Sequence, residues 1–171
     1  MRLLIVLIIS IFFFSYSSNE SIRWYSMQEA LDLQQKAPKK IVVDVYTNWC
    51  GWCKRMDANT FSNAAVAAYM NKNFYPVKFN AEGNDTIKFK GRTFVNANYG
   101  KPRATHSFTP VLVNGKISYP VFVFISEKTQ GITKVYGYQE VGKWMAWLRY
   151  IAKDKYRGQT FEQYYDSEEK E

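Results

Sequence analysis

The stretch from Ile41 to Lys54 reads IVVDVYTNWCGWCK and joins a strand pattern to a pair of cysteines. Its first part, Ile41 to Tyr46, is β-branched and apolar apart from Asp44, which is typical of a strand buried on both faces of a sheet. The residues Thr47 to Trp49 predict a turn, and a helix is expected to begin near Cys50. The cysteines therefore stand where a strand passes into a helix.

A Cys-x-x-Cys pair at a helix start has a clear chemical use. Cys50 would face free backbone N–H groups and the positive end of the helix dipole, and both favour the nucleophilic thiolate. Cys53 follows one helical turn later and can close a disulfide with Cys50. We expect Cys50 to be exposed, to attack a substrate disulfide first, and to be released when the shielded Cys53 resolves the mixed disulfide.

Two other interpretations of the cysteine pair have less support from the sequence. A purely structural disulfide between Cys50 and Cys53 would close a very short loop and would constrain the unfolded chain little. Half of a metal site would need ligands from elsewhere, and His106 is the single histidine. Two cysteines and one histidine cannot complete a four-ligand zinc site of the usual kind. The sequence therefore favours redox chemistry, with no metal and no cofactor expected.

Length and composition bound the class of protein. The chain has 171 residues, of which 47% are hydrophobic and 18% aromatic, so one domain with a packed core is expected and global disorder is excluded. The net charge of +8 could suit a nucleic acid, an acidic partner or an anionic membrane. No dense Lys/Arg run interleaved with aromatics is present, which favours a basic solvated surface and no nucleic-acid partner.

The N-terminus carries the pattern of a signal peptide. Met1 and Arg2 give a positive start, Leu3 to Phe14 is apolar apart from Ser10, and small residues follow up to Ser18. We expect residues 1–18 to be removed and the mature chain to work in the periplasm or outside the cell, where disulfides persist. An uncleaved membrane anchor is the alternative.

Helix and strand signals alternate along the rest of the chain, which predicts the α/β class. Further predicted strands are Phe74 to Phe79, Val121 to Ile125, and Ile132 to Tyr136 as the hairpin partner of the last. A first helix is predicted from Met27 to Lys36, after a capping box at Ser26, and a second from Cys50 to Ala58. A third helix would be capped by Ser62 or Asn63. A fourth has an apolar stripe from Val141 to Ile151, and a short fifth helix follows Thr160. The domain is expected to span residues 19–165, followed by a flexible charged tail, 166–171.

The stretch Val43 to Lys54 resembles the active site of the thioredoxin superfamily. The preceding Trp24 to Lys40 is similar to the lead-in of secreted thioredoxin-like proteins, including the C-terminal domain of the bacterial transmembrane disulfide reductase. Tyr119 to Phe124 resembles the cis-proline of the family and the strand after it. The resemblance covers Trp24 to Ala152 and implies a thioredoxin fold, a central mixed β-sheet flanked by helices, with an insertion at about residues 81–118.

The resemblance also implies roles for single residues. Asp44 stands where the family keeps a buried carboxylate below the cysteines, which would accept the proton of Cys53. Lys78 matches a lysine that can pair with that aspartate. The resemblance implies that five residues contact the substrate: Trp49, Gly51, Trp52, Tyr119 and Pro120. The backbone of Tyr119 would pair with an extended substrate segment.

The expected function is that of a thiol–disulfide oxidoreductase, a reductase or interchange enzyme acting on protein disulfides. The Gly51-Trp52 dipeptide departs from the Gly-Pro of thioredoxin, so a dithiol oxidase is an alternative, and a non-catalytic binding or chaperone module is another. Expected partners are proteins with disulfides or thiols and a redox donor in the membrane or outside the cytoplasm, and the protein is expected to be a monomer. The insertion either rims the substrate groove or decorates the surface.

Overall fold

A computed structural model describes residues 20–115 and 117–168. The predicted signal peptide and residues 169–171 of the predicted tail lie outside this range. The helices are α1 Met27–Lys36, α2 Gly51–Arg55, α3 Ala64–Asn73, α4 Thr109–Val113, α5 Val141–Ala152 and α6 Phe161–Glu168. The strands are β1 Lys40–Tyr46, β2 Phe74–Asn80, β3 Ile87–Phe89, β4 Arg92–Phe94, β5 Val121–Ile125 and β6 Gly131–Tyr136. No helix among the described residues is long and apolar enough to span a membrane.

Four strands form the central sheet in the order β2-β1-β5-β6. β1 runs parallel to β2, with Asp44 opposite Lys78, and antiparallel to β5, which in turn pairs antiparallel with β6. β3 and β4 form a separate hairpin. The predicted class is confirmed: this is a mixed α/β structure with a central sheet flanked by helices.

The side chains of β1 alternate between two hydrophobic clusters, one on each face of the sheet. Val42 joins residues of α3, α5 and α6 on the first face, while Val43 and Val45 join α1 on the second. At the centre of the first cluster the Trp144 ring of α5 lies 4.6 Å, between centroids, from Phe122 of β5. The predicted apolar stripe of this helix is therefore core. Asp44 lies two residues after Val42, so it projects toward the first face.

The insertion completes the second face of the sheet. Its buried residues Ile87, Phe94, Phe108 and Val113 belong to the same cluster as α1 and β1. The Phe108 ring makes edge-on contacts with Phe79 of β2 and with Phe89 and Phe94 of the β3–β4 hairpin. The insertion is thus part of the core and is not a surface decoration.

Local signals explain where the terminal helices begin and end. Ser26 and Glu29 form the predicted capping box, with the Glu29 N–H donating to Ser26 Oγ at 3.2 Å and the Ser26 N–H to Glu29 Oε2 at 2.7 Å. Thr160 caps α6, and Phe161 stacks on Trp147 at 3.4 Å between ring centroids. α6 continues to Glu168, three residues past the predicted end of the domain at 165.

Candidate active site

The cysteine pair lies at the start of the helix that follows β1. Cys50 is the N-cap of α2, its Sγ accepts the Cys53 N–H at 3.1 Å, and the two cysteines are joined as a disulfide. Contrary to the expectation of an exposed Cys50, both residues are buried, 4% and 2% exposed. Exposure therefore does not distinguish them. The N-cap position does, because the backbone donor aimed at the Cys50 sulfur would stabilise a thiolate there.

The predicted helix over Cys50 to Ala58 changes type on the way. After Arg55 the chain forms a π-helical turn, Met56–Thr60, that continues directly from α2. The wider turn carries Asp57, whose carboxylate bonds to Lys78 of β2. Turns of this kind recur at functional sites, and here the turn adds a second carboxylate to the neighbourhood of Lys78.

Asp44, which is buried, and Lys78, which is partly buried, form an ion pair on adjacent strands. Lys78 Nζ donates to Asp44 Oδ2 at 2.7 Å, and the Asp44 side chain is 2% exposed. Burial raises the pKa of Asp44 to about 6, which Lys78 opposes and Asp57 assists. Burial works to lower the pKa of Lys78, but Asp44 and Asp57 outweigh it and raise that pKa. The site therefore holds a cationic lysine beside a carboxyl group able to take up a proton near neutral pH.

Aromatic rings enclose the ammonium group of Lys78. Its Nζ lies 5.1 Å from the ring centroid of Trp24, 5.0 Å from Tyr46 and 5.4 Å from Phe61. Such rings stabilise a cation in a partly desolvated position. They also hold the ammonium in place between Asp44 and Asp57.

The peptide bond between Tyr119 and Pro120 is cis, and both residues stand just before β5. The Tyr119 ring makes an edge-on contact with Trp49 at 5.8 Å between centroids, and Trp49 Nε1 donates to Glu82 Oε1 at 3.0 Å. Trp49 and Trp52 are 60% and 55% exposed. The predicted aromatic residues thus flank the disulfide as open apolar surface.

A cleft of about 680 Å³ opens on the Trp49 side of the disulfide. Its walls combine Trp49 and Glu82 with the insertion loop from Tyr99 to Arg103. The insertion contains the β3–β4 hairpin and the short helix α4, so this loop is held on an ordered frame. The insertion therefore borders Trp49, the residue before Cys50, as well as packing in the core.

His106 is a packing residue. It is fully buried, its Nε2 lies 2.7 Å from the Asp85 backbone oxygen, and its Nδ1 accepts the Phe108 N–H at 3.0 Å. These bonds fit the tautomer that carries its proton on Nε2. Both nitrogens are used within the insertion, so the single histidine ties the loop to α4 and takes no part in the site.

Sequence reasoning predicted the cysteines, Asp44, Lys78 and the aromatic pair as site residues, but it did not predict Asp57, Glu82 or Tyr138, whose ring centroid lies 5.7 Å from that of Trp52. Asp57 follows Cys53 by four residues, a spacing that puts it one turn along the same helix. Glu82 and Tyr138 had no local signal. They reach the site because the strands that precede them end at the same edge of the sheet.

The family follows from the match along most of the chain. A model described as "Thioredox_DsbH: Protein of unknown function, DUF255" matches residues 9–140. The chain belongs to this family. A member of the Thioredox_DsbH family with a disulfide formed by its Cys-x-x-Cys pair has the architecture of a thiol–disulfide oxidoreductase.

Solved structures share the fold of this Thioredox_DsbH member. A thioredoxin from Thermus thermophilus superposes with a TM-score of 0.56 at 19% identity, over 77% of this chain and 87% of that one. A protein titled DsbH oxidoreductase gives a TM-score of 0.54 at 15% identity, over 78% and 85%. A putative disulphide-isomerase from Bacteroides thetaiotaomicron gives 0.53 at 23% identity, over 77% and 92%. At these identities the likeness shows the fold alone.

Curated relatives match over a shorter stretch. Rat spermatogenesis-associated protein 20 is 31% identical over 81 residues, which is 47% of this chain and 10% of that protein. An uncharacterized protein of Archaeoglobus fulgidus is 34% identical over 67 residues, 39% of this chain and 53% of that protein. The chain therefore matches about a tenth of the length of the first relative and about half of the second.

Proposed function

We propose that this protein is a protein-disulfide reductase or interchange enzyme that uses Cys50 and Cys53 as its redox pair. The observation that carries the proposal is a Cys-x-x-Cys disulfide at a helix N-cap, followed by a turn whose Met56 packs on the face of the sheet toward which Asp44 projects and whose Asp57 bonds to Lys78, the partner of buried Asp44. A structural disulfide has no need of a buried carboxyl group with a raised pKa.

The reaction begins with the reduced pair. The Cys50 thiolate attacks one sulfur of a substrate disulfide, the S–S bond breaks, and one substrate thiolate leaves as the mixed disulfide forms. Cys53 then loses its proton to Asp44 and attacks the Cys50 sulfur. The Cys50–Cys53 bond forms and the second substrate thiolate leaves. Two electrons pass to the substrate, the two leaving thiolates take up protons, and a dithiol donor must return two electrons to the enzyme.

Substrate would lie across the exposed aromatic surface beside the disulfide. The backbone of Tyr119 is proposed to pair with an extended substrate segment, while Trp49, Gly51, Trp52 and Pro120 contact its side chains. A protein substrate fits this open surface because Trp49 and Trp52 offer apolar area without a closed pocket. The donor is proposed to be a membrane or extracytoplasmic dithiol protein, and the enzyme a periplasmic or secreted monomer.

Insulin reduction with dithiothreitol tests the catalytic proposal. Wild-type protein should accelerate the precipitation of the insulin B chain, and Cys50→Ser should abolish the acceleration. A wild-type protein that leaves the uncatalysed rate unchanged would overturn the proposal and favour the binding or chaperone module.

The equilibrium with glutathione tests the direction of electron flow. A potential near about −270 mV would support a reductase, whereas one near about −120 mV would mark a dithiol oxidase. The measurement uses the fraction of reduced Cys50–Cys53 pair across a series of glutathione buffers. Because it needs no substrate, its outcome is independent of the insulin assay.

A further inference from the structure

The side of the disulfide opposite Trp49 carries a cation that lies against two neighbouring aromatic rings. The Arg55 guanidinium carbon lies 5.4 Å from the ring centroid of Trp52 and 5.6 Å from that of Tyr138, and the two rings are 5.7 Å apart. These three residues, Arg55, Trp52 and Tyr138, are called here the arginine wall. Arg55 and Trp52 belong to α2, while Tyr138 comes from the segment between β6 and α5.

The guanidinium of Arg55 is available to bind an anion. Within residues 20–115 and 117–168, the ion pairs use Lys40, Lys78, Arg149 and Arg157 as cations and leave Arg55 out. Its side chain is exposed. Contact with aromatic faces restrains a guanidinium but leaves its N–H groups free to bind a carboxylate with two parallel bonds. The cation is thus pre-oriented at low entropic cost.

Both aromatic residues of the arginine wall belong to segments that are connected to the redox centre. Trp52 lies between the two cysteines in the chain, and the N–H of Gly137, next to Tyr138, donates to the Pro120 oxygen at 2.9 Å. Asn59 of the π-helical turn donates to the Tyr138 hydroxyl at 3.3 Å. A substrate segment lying along Pro120 would therefore pass beside the wall.

Two further bonds fix the segment that carries Tyr138. The Thr60 hydroxyl donates to the Gln139 oxygen at 2.7 Å, and the Gln139 N–H donates to the Met56 sulfur at 3.3 Å. The wall is therefore tied to the helix that bears the cysteines and should move with it. A cation fixed relative to Cys50 can form an ion pair with a substrate side chain that lies at a set distance from the substrate cysteine.

We propose that the arginine wall selects protein disulfides in which an acidic side chain lies next to the reacting cysteine. The Arg55 guanidinium pairs with that carboxylate, and the rings of Trp52 and Tyr138 cover the neighbouring apolar part of the substrate segment. This inference rests on the proposed function and adds the substrate class to it. Its partner is an acidic polypeptide segment, not a small anion.

A charge-reversal experiment tests the inference. Model peptides of one sequence carry a mixed disulfide at a central cysteine, and one flanking position at a time, on either side of it, is Gln, Glu or Lys. The rate of reduction, kcat/KM, is measured for wild type, Arg55→Gln and Arg55→Glu at low ionic strength and again at about 0.5 M salt. Circular dichroism confirms that each variant is folded.

At one flanking position the wild-type protein should reduce the Glu peptide roughly three- to fivefold faster than the Gln peptide, as expected for one exposed ion pair. Arg55→Gln should lose the preference at that position, and Arg55→Glu should favour the Lys peptide instead. High salt should weaken all of these differences. A wholly structural role for Arg55 would not produce an inversion of preference.

Lys128 supplies the matched control. It is exposed in the connection between β5 and β6. This connection lies at the end of the sheet where Ile125 pairs with Ile41, and the disulfide lies at the opposite end of the sheet, after β1. Lys128→Gln and Lys128→Glu change the net charge as the Arg55 variants do, so they measure the long-range attraction of a basic protein for an acidic peptide. Their peptide preferences should stay close to wild type.

The outcomes separate the two proposals. The selector role of the arginine wall would be overturned if wild type reduced the Glu and Gln peptides at equal rates at every position. It would also be overturned if the Lys128 variants changed the preference as the Arg55 variants do. Either result would leave the redox function intact. No reduction of even the Gln peptides by wild type would overturn the proposed function itself.

Discussion

Lys78 Nζ lies 2.7 Å from Asp44 Oδ2 because the two residues face each other in the parallel register of β1 and β2. The second carboxylate oxygen, Oδ1, is buried and has no hydrogen-bond partner among the described residues. One oxygen of Asp44 is therefore held by a cation while the other can accept a proton. This asymmetry gives the carboxyl group its proposed place in the resolution step.

Asp44→Asn should slow resolution more than the first attack. The amide keeps the shape of the side chain but cannot accept the Cys53 proton, so mixed disulfides should persist near neutral pH. In wild type the resolution rate should rise as pH increases through about 6, where Asp44 ionises. Stopped-flow measurement of mixed-disulfide decay between about pH 5 and 8 checks this. Identical profiles for wild type and variant would remove Asp44 from the mechanism.

The same substitution should stabilise the fold above pH 6. The folded pKa of Asp44 is about 6, against about 3.9 in an unfolded chain. Between these values the native state holds a proton that the unfolded state has lost, so the wild-type free energy of unfolding falls as pH rises. Asp44→Asn does not titrate and should be more stable by on the order of 2 kcal/mol at about pH 7.5, with no gain below about pH 4.

Urea unfolding of wild type and Asp44→Asn at the two pH values measures this difference. The ion pair between Lys78 and Asp57 remains in the variant, so Lys78 keeps a carboxylate partner. Asp57→Asn serves as the control, since it removes the exposed partner and leaves the buried carboxyl group in place. A larger gain at pH 4 than at pH 7.5 would contradict the burial of an ionised Asp44.

Cys50 should be the thiol that reacts first. With both cysteines buried, the preference comes from the Cys53 N–H that points at the Cys50 sulfur and would stabilise its thiolate. After reduction, iodoacetamide followed by mass spectrometry should find the label on Cys50. Cys53→Ala should accumulate mixed disulfides through Cys50, whereas Cys50→Ala should not. Faster labelling of Cys53 would reverse the assignment.

Phe108→Ala should cost about 3–5 kcal/mol of stability. The ring is 1% exposed and contacts three other phenylalanines where the insertion meets the sheet, so its removal leaves a cavity. Val111→Ala, in the helix α4 that follows Phe108, is the control, because Val111 is 44% exposed and should change stability little. Denaturant midpoints give both values, and equal small losses would mean that the insertion packs loosely.

Tyr99→Ser tests whether the insertion loop grips protein substrates. Tyr99 is 59% exposed and lines the cleft beside Trp49, so its loss should spare the fold. Reduction of folded protein disulfides should slow several-fold, while reduction of glutathione disulfide should stay near wild type. Deleting residues 91–103 is a poorer test because it removes the buried Phe94. Equal losses on both substrates would point to a damaged redox centre.

Much of the architecture could be predicted from local patterns. The capping box at Ser26, the β-branched run of β1 and the hairpin of β5 and β6 each depend on residues close together in the chain, and the predicted elements are present within a few residues. The sequence did not predict the end of α2, where the chain changes to a π-helical turn at Met56, whose sulfur accepts the N–H of Gln139 from a distant segment. Local preference does not encode that contact.

The sequence by itself determined that a reactive cysteine pair follows a buried strand, since strand propensity, turn and helix start all lie within Ile41 to Lys54. Only the tertiary structure decided what surrounds the pair. Lys78 faces Asp44 through strand register, Asp57 reaches Lys78 through the helical turn, and Tyr138 reaches Arg55 because β6 ends at the same edge of the sheet. These contacts join residues 21 to 83 positions apart, and their energies depend on burial and distance, which no local pattern of residues specifies.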